Sequence, residues 1–451
     1  MVPARANDNR SRGMRRLAAR FTGTAAAAGI FLAGLASAAA PPPKEATPVA
    51  ASSITAWSPA IANSVEWQAL TAAAQAFNNR QRAFRVDVQF SDVWRYDELL
   101  RNAAMSGRLP CVVATDGPLM AGYVWAGYLQ ALDPFVPKPL LNDVLPSIIR
   151  QGTYNGRLYS LGQFESGLGL WGNRRHLRAA GVRVATLEAP WSLGEFEQAL
   201  QRLTALDGVE YAINFSVYYA LSEFSAYAFS PIVQGFGGDL IDRAHYRSAK
   251  GVLDGPQAVE AMRRFQQWFR KGWSKPVVDR ADDFERGRTA LSWMGNWKYH
   301  DYRDALGDDL VLMPLPDFGH GIKTGMGSWS WAISSTCRDP AAAWAFIAHL
   351  MSTEEILRVT NANAAVPARR SALARSRLYG AQGPLRMFPL QLAAGLGVPR
   401  PATPAYITIR TNFANAVSAI IAGGDVQAEL SKAAGIIDAD IARNRSYRPP
   451  D

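Results

Sequence analysis

Between residues 53 and 116 the apolar positions switch repeatedly between two periods. "SITAW" (53–57) reads as a short strand and "FRVDVQF" (84–90) alternates as a strand does. Between them Trp67, Leu70, Ala74 and Phe77 recur at helical spacing. "YDELLRNAAMSGRLP" follows as a helix stopped by Gly107 and Pro110, and "CVVATD" is a continuous apolar strand ending in Asp116. Strand, helix, strand, helix, strand predicts an α/β unit with a parallel sheet covered on both faces. In such a sheet ligands sit at the carboxyl ends of strands, which here carry Trp57 and Asp116.

A second block reads differently. "YNGRLYSLGQFESGLGLWGN" (154–173) resolves into two extended segments joined through 162–169. In "WSLGEFEQALQRLTAL" Ser192 followed by Glu195 forms a capping box ahead of a helix. "GPQAVEAMRRFQQWFRKG" is an amphipathic helix closed by Gly272, and "DPAAAWAFIAHLMS" a helix behind Asp339 and Pro340. "DDFERGRTALSWMGNW" (282–297) predicts a short helix, a turn and a strand. That strand ends in Trp293 and Trp297, placed around the turn residues Gly295 and Asn296. No internal repeat is present.

The N-terminus is separate from this pattern. Arg10, Arg12, Arg15, Arg16 and Arg20 precede an alanine-rich apolar run that ends in Ala36-Ser37-Ala38, the arrangement of a secretory signal peptide over 1–40. Cleavage is expected near Ala38 or Ala40, and no lipidation cysteine follows the run. The next stretch, 41–52, is proline-rich and expected to be disordered. Residues 1–40 carry six arginines and one aspartate, so the remainder keeps about +5 of the chain's formal +10. With those charges spread along the chain, a nucleic-acid partner is not indicated. Cys111, opening an apolar run, reads as a buried thiol; a pairing with Cys337 is not decided by spacing. The five histidines show no metal-ligand spacing, and no cofactor is implied.

The order of these segments resembles the family 1 extracellular solute-binding proteins of bacterial ABC importers, the maltose-binding-like group. The pieces are "ITAW", "GYLQALDPF" after "VVATD", "YNGRLYSLGQFESGLGLWGN", "GVRVATLEAPWSLGEFEQAL", "QGFGGDLID", "FERGRTALSWMGNW", "LVLMPLP", "GSWSWAISSTCRDPAAAWAFIAHLMSTEE", "AAVPARRSAL" and "PRPATPAYITI". The departures are Leu170-Trp171-Gly172-Asn173 where relatives carry Tyr-Asn, Cys111 in place of a frequent Asp, and Gly327-Ser328 in place of Gly-Gly. The resemblance implies two α/β lobes, each a mostly parallel sheet flanked by helices, with the ligand in the cleft between them. It implies an N-terminal lobe of 53–163 and 317–366, and a C-terminal lobe of 164–316 and 367–445. The partner implied is an ABC permease, and the binding protein itself is a monomer and not an enzyme.

The same resemblance places "MGNW" where the second lobe's sheet meets the cleft. A pyranose has an apolar face and a hydroxyl rim, so it requires an aromatic platform with carboxylate or amide groups at its edge. Trp297 or Trp293 supplies the platform in this reading, Asn296 an amide, and Asp116 and Glu165 carboxylates. Trp329 and Trp331 point to opposite faces of a strand, and Trp329 is assigned to the cleft. Tyr219 and Glu223 lie in a stretch that lines the cleft in relatives. Each acid also has a structural alternative, Asp116 as a helix cap and Glu165 as a hinge tie; Arg400 either grips ligand or pins the last crossing. Trp268, Trp273 and Trp344 are assigned to packing. The expected cargo is a sugar or oligosaccharide in the periplasm, the alternatives being a polyol or glycerol phosphodiester, or a secreted carbohydrate-active enzyme.

Overall fold

A computed structural model describes residues 52–217, 223–277 and 281–447. The signal-like segment and the lead-in up to Ala51 lie outside the described residues, as does Tyr219. The first sheet takes the order Phe84–Ser91, Ser52–Pro59, Val112–Asp116, Trp329–Ser334, Leu129–Gln130, with Ser160–Leu161 also against Trp329–Ser334. The first three strands are parallel, as the alternation of helices Val65–Arg80 and Val93–Met105 requires. Trp329–Ser334 alone runs the other way, because the chain re-enters this lobe from the cleft side. The second sheet repeats the device: Tyr211–Asn214, Thr289–Gly295 and Leu310–Met313 share one direction, and Leu168–Asn173, the entering strand, opposes them.

All but one of the predicted helices form, with ends set by local chemistry. Ser64 Oγ accepts from Trp67 N at 3.2 Å to start Val65–Arg80. The reciprocal Ser192 and Glu195 bonds start Leu193–Thr204. Gly107 and Gly272, at φ +64° and +71°, follow the ends of Val93–Met105 and Pro256–Arg270. The short helix expected at the start of "DDFERGR" is instead a run of turns.

The first lobe's core gathers Ile54, Phe77, Val112, Trp331 and Phe346 between sheet and helices. The larger core runs across both lobes, taking in Tyr96, Met120 and Tyr123 of the first, and its second-lobe part is aromatic, with Phe215, Phe229, Phe265, Trp268 and Trp293 in ring contact. Trp268 and Trp273 pack as expected, buried at 0% and 8% exposure, and Trp344 lies partly buried against the first core.

Three crossings join the lobes. Phe164–Glu165 pairs antiparallel with Val366–Pro367, and Gly167 bridges to Met326 beside them. Two lobe limits differ from those expected. Residues 317–326 stay with the second lobe, because Phe318 packs its ring on Phe196 (5.9 Å) and Trp268 (5.8 Å). The chain re-enters the first lobe only at Trp329. Conversely, the segment after Pro367 stays with the first lobe: Arg369 Nε donates to Asp143 at 2.7 Å, Ser371 N donates to the same carboxylate at 2.9 Å, and Ala372 joins the first core.

The cysteines also resolve. Cys111 and Cys337 are joined in a disulfide, correcting the free-thiol reading. The two residues lie just outside the paired strands Val112–Asp116 and Trp329–Ser334, at the end away from the cleft.

Candidate functional site

The cleft side of the second lobe is built at the end of Thr289–Gly295. Every residue of that strand is buried, including Trp293 at 0% exposure, whose Nε1 donates to the Ala228 carbonyl at 2.9 Å. Trp293 therefore belongs to the core, and its assignment as a platform is corrected. Gly295 then permits what no other residue would. A Cβ there would meet three atoms of the Trp297 indole at 2.0–2.4 Å, so the ring lies folded directly over the glycine. Trp297 is 38% exposed, and its neighbour on the inner side is the Tyr227 ring, 5.7 Å away at 47°. Asn296 is buried beneath this turn, where Nδ2 donates to Tyr379 at 3.2 Å; this corrects its expected place at a ligand's edge.

On the first lobe, Asp116 and Trp329 are cross-strand partners at the cleft ends of their strands. The half-buried Trp329 ring meets Tyr96 edge-on at 5.7 Å. The single Tyr96 hydroxyl proton is shared between the carbonyls of Ala114 (2.8 Å) and Trp57 (3.0 Å), tying its helix to two strands. Trp57 itself is half-buried and turns its Nε1 to Gln89 at 3.0 Å, away from Asp116. Asp116 precedes a short 3-10 turn, yet its side chain makes no cap bond. It receives Arg400 instead.

That arginine organises the cleft floor. Its Nη1 and Nη2 each donate to one oxygen of Asp116 at 2.9 Å, a bidentate pair, and Nη1 also reaches Glu223 at 2.5 Å. The guanidinium lies 5.2 Å from the Tyr227 ring centroid. Burial opposes its charge, but the carboxylates of Asp116 and Glu223 outweigh that and keep it protonated. Gly327, at φ +115°, is held without a side chain by the same group, since a Cβ would stand 2.8 Å from Arg400 Nη2.

Glu223 Oε2 accepts from Arg410 at 3.0 Å, Tyr406 donates its hydroxyl to Oε1, and Arg410 reaches Asp97 at 2.8 Å. The result is a continuous series Asp116, Arg400, Glu223, Arg410, Asp97 in which acids and bases alternate.

Glu165 is sealed at 0% exposure. Gln151 Nε2 donates to it at 2.6 Å, Gly327 N at 2.7 Å and Ser166 N at 3.2 Å. Those donors come from the first lobe and from two of the crossings, so Glu165 is a hinge tie, correcting its assignment to ligand. Burial, partly offset by these hydrogen bonds, pushes its pKa up to about 7.

The structure thus brings together Asp116, Glu223, Arg400, Trp297 and Trp329, and leaves Trp57, Trp293, Asn296 and Glu165 to packing or support. Sequence reasoning missed Tyr227, Tyr406 and Arg410. The available signal was spacing: Glu223 with Tyr227, and Tyr406 with Arg410, stand four apart on one face of their helices. Among the described residues no group of three or more His, Cys, Asp or Glu is arranged to hold a metal ion.

Two α/β lobes joined by three crossings, with the Asp116, Arg400 and Glu223 series beside Trp297 and Trp329, make up the candidate site. Residues 62–356 match the family described as bacterial extracellular solute-binding protein, and the chain belongs to it. Among curated relatives, a maltotriose-binding protein of Pyrococcus abyssi is 22% identical over 288 residues, covering 60% of this chain and 57% of that protein. The chain spans less than two thirds of the length of the curated relatives it matches, 57% and 64%. Among solved structures, the GacH receptor of Streptomyces glaucescens, described unliganded and with acarbose, aligns at a TM-score of 0.70 and 23% identity, covering 88% of this chain and all of that one. The sugar-binding protein MalE of Xanthomonas citri aligns at 0.73 and 18% identity, covering 87% and 98%. These likenesses establish the two-lobe periplasmic-binding-protein fold.

Proposed function

We propose that this chain is the periplasmic substrate-binding component of an ABC importer, capturing a neutral sugar or short oligosaccharide by lobe closure and presenting it to a membrane permease. The observation that carries the reading is Trp297. An indole 38% exposed, folded over a glycine at the cleft end of a buried strand, is a flat apolar surface beside polar groups. A pyranose face stacks on such a ring while its hydroxyls meet the floor. The sugar ligands named for the relatives, maltotriose and acarbose among them, support the same class.

Charge favours a neutral cargo over a glycerol phosphodiester. Arg400 on the floor and Arg410 beyond it are both already engaged, by Asp116, Glu223 and Asp97. A phosphate would arrive among three carboxylates with no uncommitted cation in that series to receive it. Hydrolysis is not part of the reading. A glycosidase requires two free carboxylates flanking the bond, and here Asp116 is clamped and Glu165 sealed. In this reading the chain acts as a monomer, and the basic-apolar N-terminal segment exports it.

A thermal-shift panel of maltose, maltotriose, mannobiose, a free polyol and glycerophosphocholine tests the proposal. A ligand at 100 times its Kd adds about 2.7 kcal/mol of apparent stability. At least one neutral saccharide should raise the melting temperature and be recovered unaltered. A shift with the phosphodiester alone, or release of shortened products, would overturn the reading.

A further inference from the structure

Two arginines in the C-terminal segment make the same kind of contact twice. Arg400, just after the Gly397–Pro399 strand, holds Asp116 of the first lobe and Glu223 of the second. Arg410, on helix Tyr406–Ile421, holds Asp97 of the first lobe and the other oxygen of Glu223. The helix bearing Arg410 packs on the second-lobe helices Glu223–Gly235 and Pro256–Arg270, where Gln266 Nε2 donates to the Ile420 carbonyl at 2.8 Å, and it also meets the first-lobe turn Gly117–Leu119. Asp97 lies on Val93–Met105, anchored to the first-lobe sheet through Tyr96. Each arginine therefore spans from one lobe to the other, and one second-lobe carboxylate serves both.

The two arms differ in depth. Arg400 and Asp116 have side chains only 4% and 10% exposed, on the floor near Gly327. Arg410 and Asp97 are 14% and 25% exposed, a second arm reaching a different first-lobe element. A hydrogen-bonded charge pair shielded to this degree is weakly screened and lost only when its partners separate. Neither Asp97 nor Arg410 belongs to the Trp297 and Trp329 rim.

We propose that Arg410, with Asp97 and Glu223, is a positioning residue that latches the closed arrangement of the lobes, supplying part of the closure free energy so that the ligand need supply only the rest. This rests on the capture reading above. A latch made only on closure holds a bound ligand in place, so its loss accelerates release and leaves encounter with the open cleft unchanged.

The test uses Asp97→Asn, nearly isosteric and at the periphery, with Arg410→Gln as a second variant. Melts and circular dichroism establish that each is folded. Without any sugar, small-angle scattering should show a larger radius of gyration for both variants than for the parent chain. With maltotriose as probe, stopped-flow fluorescence should show dissociation roughly tenfold faster and association no slower, a split that simple loss of stability does not produce. Should Arg410→Gln not fold, Asp97→Asn decides. An unchanged radius in folded Asp97→Asn overturns the latch, and so does a loss of affinity carried by association alone. The scattering arm involves no ligand. If maltotriose does not bind, the cargo fails while the latch is still judged.

Discussion

Gly295 and Trp297 form a unit in which neither residue is interchangeable. The glycine has φ −80° and ψ 170°, a conformation alanine adopts freely, so only the indole above it excludes a methyl group. Gly295→Ala should therefore evict the ring and weaken sugar binding as much as Trp297→Ala does, by more than tenfold, with each protein still folded. Trp268→Ala is the opposite case. Its ring is fully buried and stacked on Phe215 at 9°, so its loss should cost about 3–5 kcal/mol of stability and leave affinity unchanged. Fluorescence titration beside urea melts of the three variants separates these outcomes.

Glu165 gives a prediction in pH. Its folded pKa of about 7 stands above the ordinary carboxylate value, so the folded chain holds the proton more tightly than the unfolded one. The stability from this group is fully present below about pH 4.5 and is lost as pH rises to 7 and beyond, at most about 3 kcal/mol. Glu165→Gln cannot ionise, so its stability relative to the parent should rise between pH 5 and pH 8. Urea melts at both values measure this, and a pH-independent difference would mean that the carboxylate is ionised throughout.

The platform itself was half legible in the sequence. Turn residues beside Trp297 marked it as the end of a strand, but Trp293 could not be told apart from it. The reason is that Thr289–Gly295 is covered on both faces, so no alternation of polar and apolar positions reveals which side chain faces out.

At the scale of elements, helices with caps and long apolar strands were readable because their signals are local. The crossings carry no such signal, and the limits at 164 and 366 rest on the family resemblance alone. Phe164–Glu165, Val366–Pro367 and Thr324–Met326 are two or three residues long, too short to carry a period. Residues 317–326 and those following Pro367 take their lobe from contacts such as Phe318 on Trp268 and Arg369 on Asp143, made far along the chain. The disulfide is equally silent, since 226 residues separate its cysteines. It closes a loop containing the whole second-lobe excursion up to the return strand and staples the outer ends of the strands that carry Asp116 and Trp329. Cys111→Ser with Cys337→Ser should cost about 2–5 kcal/mol, read by denaturant melts. Thiol titration of the unreduced parent chain should find both cysteines blocked; two reactive thiols after unfolding would contradict the pairing.

For the molecule as a whole, the two sheets share one plan. In each, a single reversed strand carries the chain in from the cleft, so the remaining strands end there and deliver their terminal residues to it. Asp116 and Trp329 arrive from one lobe, Trp297 and Glu223 from the other, and a ligand touching both sets favours the closed state by its differential affinity. Small-angle scattering of the parent chain with and without saturating maltotriose tests this central claim most directly. The account predicts a smaller radius of gyration in the bound state, as the hinge built around Glu165 closes the lobes on the sugar. Saturated binding with an unchanged radius would contradict it, showing a rigid pocket rather than capture between moving lobes.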